Sequence, residues 1–110
     1  IGATTRVAEL KNGKVTSYSI TPEQFGFESS NITCLAVDSA AGSLKVINGV
    51  LDNTPGAARD IVVLNSGAAI YAADLVATLE EGIKKADAVI TSGAAKEKLA
   101  ALIKLSQSFK

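Results

Sequence analysis

The chain opens with two short runs, "TRVAELK" and "KVTSYSI", on either side of Asn12-Gly13. That pair tolerates the positive φ angles of a type I′ turn, so the pattern predicts a β-hairpin with a two-residue loop. Such a loop fixes the register, setting Leu10 opposite Val15 and Val7 opposite Tyr18 and giving each face some apolar surface. A lone hairpin is marginally stable and is expected to pack on, or extend, something larger. "TPEQF" then reads as a one-turn helix, with Thr21 as N-cap, Pro22 at the first helical position, Gln24 closing a capping box and Gly26 ending it. "GFESSNITCLAV" reads as irregular, with Ile32, Cys34 and Val37 able to form a short extended segment.

From Asp38 or Ser39 onward the period becomes helical. Leu44, Ile47, Val50 and Leu51 recur at spacings of three and four, and the polar run Asp52-Asn53-Thr54-Pro55-Gly56 closes this first helix. The next, within "GAARDIVVLNSGAAIYAADL" (56–75), is apolar nearly all round, the mark of a central helix covered on several sides, which one hairpin and three amphipathic helices are not expected to cover fully. Thr78 and Glu81 form a capping box for a third helix carrying Ile83, Ala86, Val89 and Ile90, which Ser92-Gly93 ends. A fourth runs from about Ala94 to Ser106, with Leu99, Leu102, Ile103 and Leu105 on its apolar side and Lys96, Glu97, Lys98 and Lys104 on the wet one. The prediction is a hairpin, an irregular connector and four helices, an α+β arrangement within this stretch.

With 110 residues and 47% hydrophobic content, the chain has the size of one domain. Eleven basic residues balance 11 acidic ones without a block of like charge, which disfavours nucleic acid or an anionic membrane as partner. No apolar run approaches a spanning length and no basic-then-apolar leader opens the chain, so a soluble, cytoplasmic protein is expected. Methionine is absent, and "IGATTRVAEL" enters a strand without a lead, which sets the expectation of a piece of a longer polypeptide.

Little in the chain suggests chemistry. There is no histidine, which removes every triad built on it, and neither common phosphate-loop pattern occurs. The one cysteine, Cys34, lacks a second thiol for a disulfide or a zinc site, and is expected to be a half-buried apolar filler. Gly67 in "NSGAA" is read as allowing close helix packing rather than phosphate binding. Glu80 and Glu81 suit the positive end of a helix dipole, Asp38 beside Ser39 reads as a cap, and Asp60 with Arg59 as first-turn charge chemistry. Asn65, in the middle of the apolar helix, needs its amide satisfied and is expected to bond a neighbouring helix end or loop, with substrate contact the alternative.

The segments "TTRVAELKNGKVTSYSITPEQFGF" and "LDNTPGAARDIVVLNSGAAIYAADLVATLEEGIKKADAVITSGAAKEKLAALI" closely resemble the C-terminal third of the anthranilate phosphoribosyltransferase family. The resemblance implies that residues 1–110 are the C-terminal portion of a phosphoribosyltransferase-like α/β domain, completing a mixed sheet and helical layer begun by absent sequence. It implies a homodimeric, Mg-dependent enzyme that holds 5-phosphoribosyl pyrophosphate and anthranilate between that domain and a smaller helical one. The amine would attack the ribosyl carbon as pyrophosphate leaves, through an oxocarbenium-like centre stabilised electrostatically.

The family's glycine-rich "GTGGD" loop, its "KHGNR"-type segment and its acidic metal-binding pair all lie upstream. No catalytic, cofactor-binding or metal-binding position is therefore assigned here, and the remainder of the polypeptide is the expected partner. The chain departs from many relatives at "SAAGSL" (39–44), where Gly42 removes any acidic side chain and Ser43 agrees with only some of them. Asp38, Ser43, Arg59 and Asn65 would be the groups to search were the chain active alone. A ribosyl phosphorylase-like relative and a non-catalytic interaction domain are the alternative readings.

Overall fold

The computed structural model describes residues 2–109, so Ile1, which opens the stretch leading into the first strand, lies outside it. The chain divides into two compact units, with the boundary between Ala36 and Val37.

In the first unit, β1 (Thr5–Lys11) pairs antiparallel with β2 (Lys14–Ile20) in the predicted register, Leu10 opposite Val15 and Val7 opposite Tyr18. Asn12 and Gly13 take φ of 54° and 76°, as a type I′ loop demands. The two faces differ. Val7, Glu9, Tyr18 and Ile20 are half-buried on one, where the Tyr18 hydroxyl donates to Glu9 Oε1 at 2.9 Å. On the other, Leu10 is 71% exposed and Val15 65%.

A 3-10 turn at Pro22–Phe25 follows, with Pro22 buried, Gln24 Oε1 accepting from the Thr21 backbone N–H at 2.6 Å, and Gly26 left-handed at its end. In the segment expected to be irregular, with Ile32 and Cys34 able to extend, the chain forms a second 3-10 turn, Ile32–Leu35. The reason is local: the Asn31 side chain accepts from the Thr33 N–H at 3.0 Å, and this short-range bond competes with an extended backbone. Cys34 there is exposed, not half-buried.

The second unit holds α1 (Ala40–Leu51), α2 (Ala57–Ala72), α3 (Leu79–Thr91) and α4 (Ala94–Gln107). Ser39, rather than Asp38, caps α1, its Oγ accepting from Gly42 N–H at 3.0 Å. Asn53, left-handed at φ 64°, ends that helix; its N–H bonds Val50 O and the Thr54 N–H bonds Gly49 O, which is a Schellman closure. Asp74 (φ 61°) ends α2 in the same way, through its bond to Tyr71 O and the Leu75 bond to Ile70 O. Gly93 both closes α3 and caps α4, since it is left-handed and its carbonyl accepts from Glu97. For α3, Thr78 Oγ1 accepts from the Glu81 N–H as predicted, while the Glu81 carboxylate reaches back to the N–H of Ala77 rather than that of Thr78.

The core lies between α2 and α3. A Cβ on Gly67 would stand 2.6 Å from Ile83 Cα, and one on Gly82 would fall on the Gly67 carbonyl oxygen. Two backbones therefore touch at this crossing, which only glycine permits. Gly67 meets Ile83 while Arg59, earlier in α2, meets Asp87 and Thr91, later in α3, so the two helices run antiparallel. Val63, Leu64, Ile83, Ala86 and Ile90 are buried along this interface, and Val50 of α1 is buried as well.

The apolar helix α2 is covered on part of its circumference only, leaving Val62 38% exposed. The expected partner of the Asn65 amide is missing: Asn65 is exposed and makes no side-chain hydrogen bond among the described residues. On α4, Leu102, Ile103 and Leu105 are all exposed, Leu102 at 60%. Leu44 and Ile47 of α1 are likewise exposed. The sequence pattern marks faces built for burial; these lack a covering element among the described residues.

Replacing Gly67 with alanine is expected to cost about 1–3 kcal/mol by forcing α2 off α3. Gly49→Ala is expected to gain about 0.5–1 kcal/mol, since helix propensity rises where the added methyl meets only Thr54 Oγ1, at 4.0 Å. Urea unfolding of both variants measures the contrast.

Candidate functional site

The most connected polar group in the second unit is Arg59, in the first turn of α2. Its side chain is only 13% exposed. Nε donates to Asn53 Oδ1 at 2.8 Å, and Nη2 donates to Asp87 Oδ1 at 2.6 Å and to Thr91 Oγ1 at 3.2 Å. One planar guanidinium thus joins the α1–α2 turn to the C-terminal half of α3. The fixed fork of donors suits this task better than a lysine ammonium would. Beside it, Lys96 of α4 pairs with Asp52 at the end of α1. Asp52 and Asn53 are therefore the point at which α1, α2, α3 and α4 are tied by side chains.

Next to Arg59 a shallow cleft of about 270 Å³ opens between the end of α1 and the start of α2, lined by Lys45, Val46, Gly49, Val50, Pro55 and Ala58 among others. Its lining is largely apolar, and the guanidinium at its edge is already engaged by three acceptors. Such a recess offers a seat for an apolar side chain rather than for a reacting substrate.

The four groups singled out for possible chemistry are not assembled. Asp38 lies before the cap of α1 and Ser43 in that helix's first turns, Arg59 is committed to its clamp, and Asn65 faces outward on α2. Among the described residues no side-chain hydrogen bond or ion pair joins any two of them. Gly42 is part of the cap itself, and a Cβ there would stand 3.2 Å from Ser39 Oγ. Glu80 and Glu81 stand in the first turn of α3, with Glu80 Oε1 3.9 Å from Lys84 Nζ, a loose and exposed pair of little energetic weight. No group of three or more His, Cys, Asp or Glu side chains among the described residues is placed to hold a metal ion. Nor is any helix among them long and apolar enough to cross a membrane.

The Arg59 clamp escaped sequence reading because its partners are Asn53, Asp87 and Thr91, the latter two 28 and 32 residues away. A charged residue in the first turn of an otherwise apolar helix was the one available signal.

A hairpin followed by helices built around a glycine-to-glycine crossing is an α/β arrangement, and residues 1–96 match the family described as "Glycosyl transferase family, a/b domain". The chain belongs to that family. Among curated relatives, the anthranilate phosphoribosyltransferase of Methylococcus capsulatus is 60% identical over 109 residues, which is 99% of this chain and 32% of that protein. Proteins of the same name from Thioalkalivibrio sulfidiphilus and from a Polaromonas species are 54% and 50% identical, each over 98% of this chain and 32% and 31% of their own lengths. The chain therefore spans about a third of the length of the curated relatives it matches.

Arg59→Lys is expected to lose about 1–3 kcal/mol, because one ammonium cannot serve Asn53 and Asp87 together. Asp87→Asn, at a half-exposed acceptor, should cost no more than about 1 kcal/mol. Chemical denaturation of the two variants gives the comparison, and a larger loss in Asp87→Asn than in Arg59→Lys would show that charge rather than fork geometry sustains the clamp.

Proposed function

We propose that this chain serves as the C-terminal third of an anthranilate phosphoribosyltransferase, which transfers the phosphoribosyl group of 5-phosphoribosyl pyrophosphate to the amine of anthranilate and releases pyrophosphate. The observation that carries this reading is the 60% identity to such an enzyme across 99% of the chain. Within the enzyme this portion is structural. Its hairpin and helices back the domain that holds the substrates, as supporting residues do for a site built elsewhere. The unassembled state of Asp38, Ser43, Arg59 and Asn65 supports that division of labour, as do the exposed apolar faces of α1 and α4, which suit burial against the remainder of the polypeptide. Magnesium belongs to the same reading, held by acidic residues outside this chain. So do a homodimeric assembly, a place in tryptophan biosynthesis and a cytoplasmic location.

A chimera tests the proposal. The segment of the Methylococcus capsulatus relative that matches this chain is replaced by the chain itself, and loss of anthranilate fluorescence is followed with the phosphoribosyl donor and Mg. The expected result is turnover by the chimera and none by the chain alone. A folded chimera that leaves anthranilate untouched overturns the assignment, and turnover by the chain alone overturns its structural role.

A further inference from the structure

Two asparagine–glycine pairs occur in the chain, Asn12-Gly13 and Asn48-Gly49, and the fold puts them in opposite environments. We propose that Asn12 is a site of spontaneous covalent modification, at which the side-chain amide is lost by attack of the Gly13 backbone nitrogen, while Asn48 is protected.

The step uses only the chain, water and solvent base. The Gly13 nitrogen gives up its proton and bonds to Asn12 Cγ, and the side-chain nitrogen leaves as ammonia, which closes a cyclic imide. Water then opens the ring at either carbonyl. One opening yields aspartate; the other yields isoaspartate, in which the main chain runs through the former side chain and is longer by a methylene.

Three features of the hairpin tip favour this step. Asn12 and Gly13 are both exposed, and apart from the adjoining residues no atom lies within 4 Å of where a Gly13 Cβ would be, so the tip is open to water and base. Lys11 and Lys14 are direct cross-strand partners closing the loop. Like charges placed directly across a strand pair destabilise it, which eases opening of the tip. The tip also ends a sheet of only two strands, where opening is cheap.

Asn48 and Gly49 lie instead inside α1, where the carbonyls of both are tied to the residues that follow: Asn48 O accepts from the Asp52 N–H at 2.8 Å and Gly49 O from the Thr54 N–H at 2.9 Å. Ring closure there must wait for the helix to open.

The product matters to the fold. An isoaspartate lengthens a two-residue loop whose register depends on its length, so the Lys11–Lys14 pair can no longer close it.

The test incubates the whole chain in mildly alkaline buffer and follows both peptides by mass mapping, with and without denaturing urea. In native buffer, conversion at Asn12 is expected to exceed that at Asn48 by ~10-fold or more, the ratio that about 1.4 kcal/mol of extra opening cost in α1 produces. In urea the two rates should converge. Equal rates in native buffer, or an Asn12 that stays intact while Asn48 converts in urea, overturn the proposal. Asn12→Gly keeps a residue suited to positive φ and removes the reacting amide. The mass change at the tip should vanish in that variant, and its persistence would place the modification elsewhere.

Discussion

The second unit depends on the distance between two backbones. Gly67 and Gly82 allow α2 and α3 to meet without intervening side chains. That approach lets the short side chains of Val63 and Ala86, with Leu64, Ile83 and Ile90, lie buried along the interface. It also fixes how far Arg59 must reach. Were the helices held farther apart, its guanidinium could not bond Asn53 on one side and Asp87 and Thr91 on the other. Steric permission at one end of the crossing and a directional polar clamp at the other thus determine a single antiparallel register.

What the sequence made legible was whatever is decided within a few residues. The hairpin register follows from a two-residue Asn-Gly loop, and the caps at Ser39 and Thr78 follow from hydroxyls ahead of apolar periodicity. The close-packing role of Gly67 could be suspected from its small neighbours. Its partner could not, because Gly82 sits in the acidic first turns of α3, where nothing in local pattern marks it as a contact. Asn53 and Asp74 escaped for another reason: their left-handed φ closes helix ends where glycine is the commoner choice. The extended option for Ile32 and Cys34 is not taken because the Asn31 side chain accepts from the Thr33 N–H and turns the backbone first.

Burial was the least legible quantity, and the misreading runs in one direction. Leu44, Ile47, Leu102, Ile103 and Leu105 fall on helical faces patterned for a core, and all stand exposed. Periodicity reports which face a helix will bury, not which element covers it. For Asn65 the consequence reverses: an amide expected to need a partner lies in the open, so its presence in an apolar helix carries no desolvation cost in this chain.

Stability in such a molecule is distributed unevenly. The α2–α3 pair combines the buried side chains, the backbone contact and the Arg59 clamp, and it resists opening as a unit. By contrast α4 has no buried residue and is tied to the rest through its first turns, by the Gly93 junction and the Lys96–Asp52 pair. The hairpin has one half-buried face, and its other face carries the exposed Leu10–Val15 pair. Elements that bury little of their own apolar surface can gain much from a covering surface, because each newly buried large side chain contributes about 1.5–3 kcal/mol. Within the second unit, α2 and α3 therefore supply the geometry and most of the buried side chains, while α4 presents apolar surface that a covering element would stabilise.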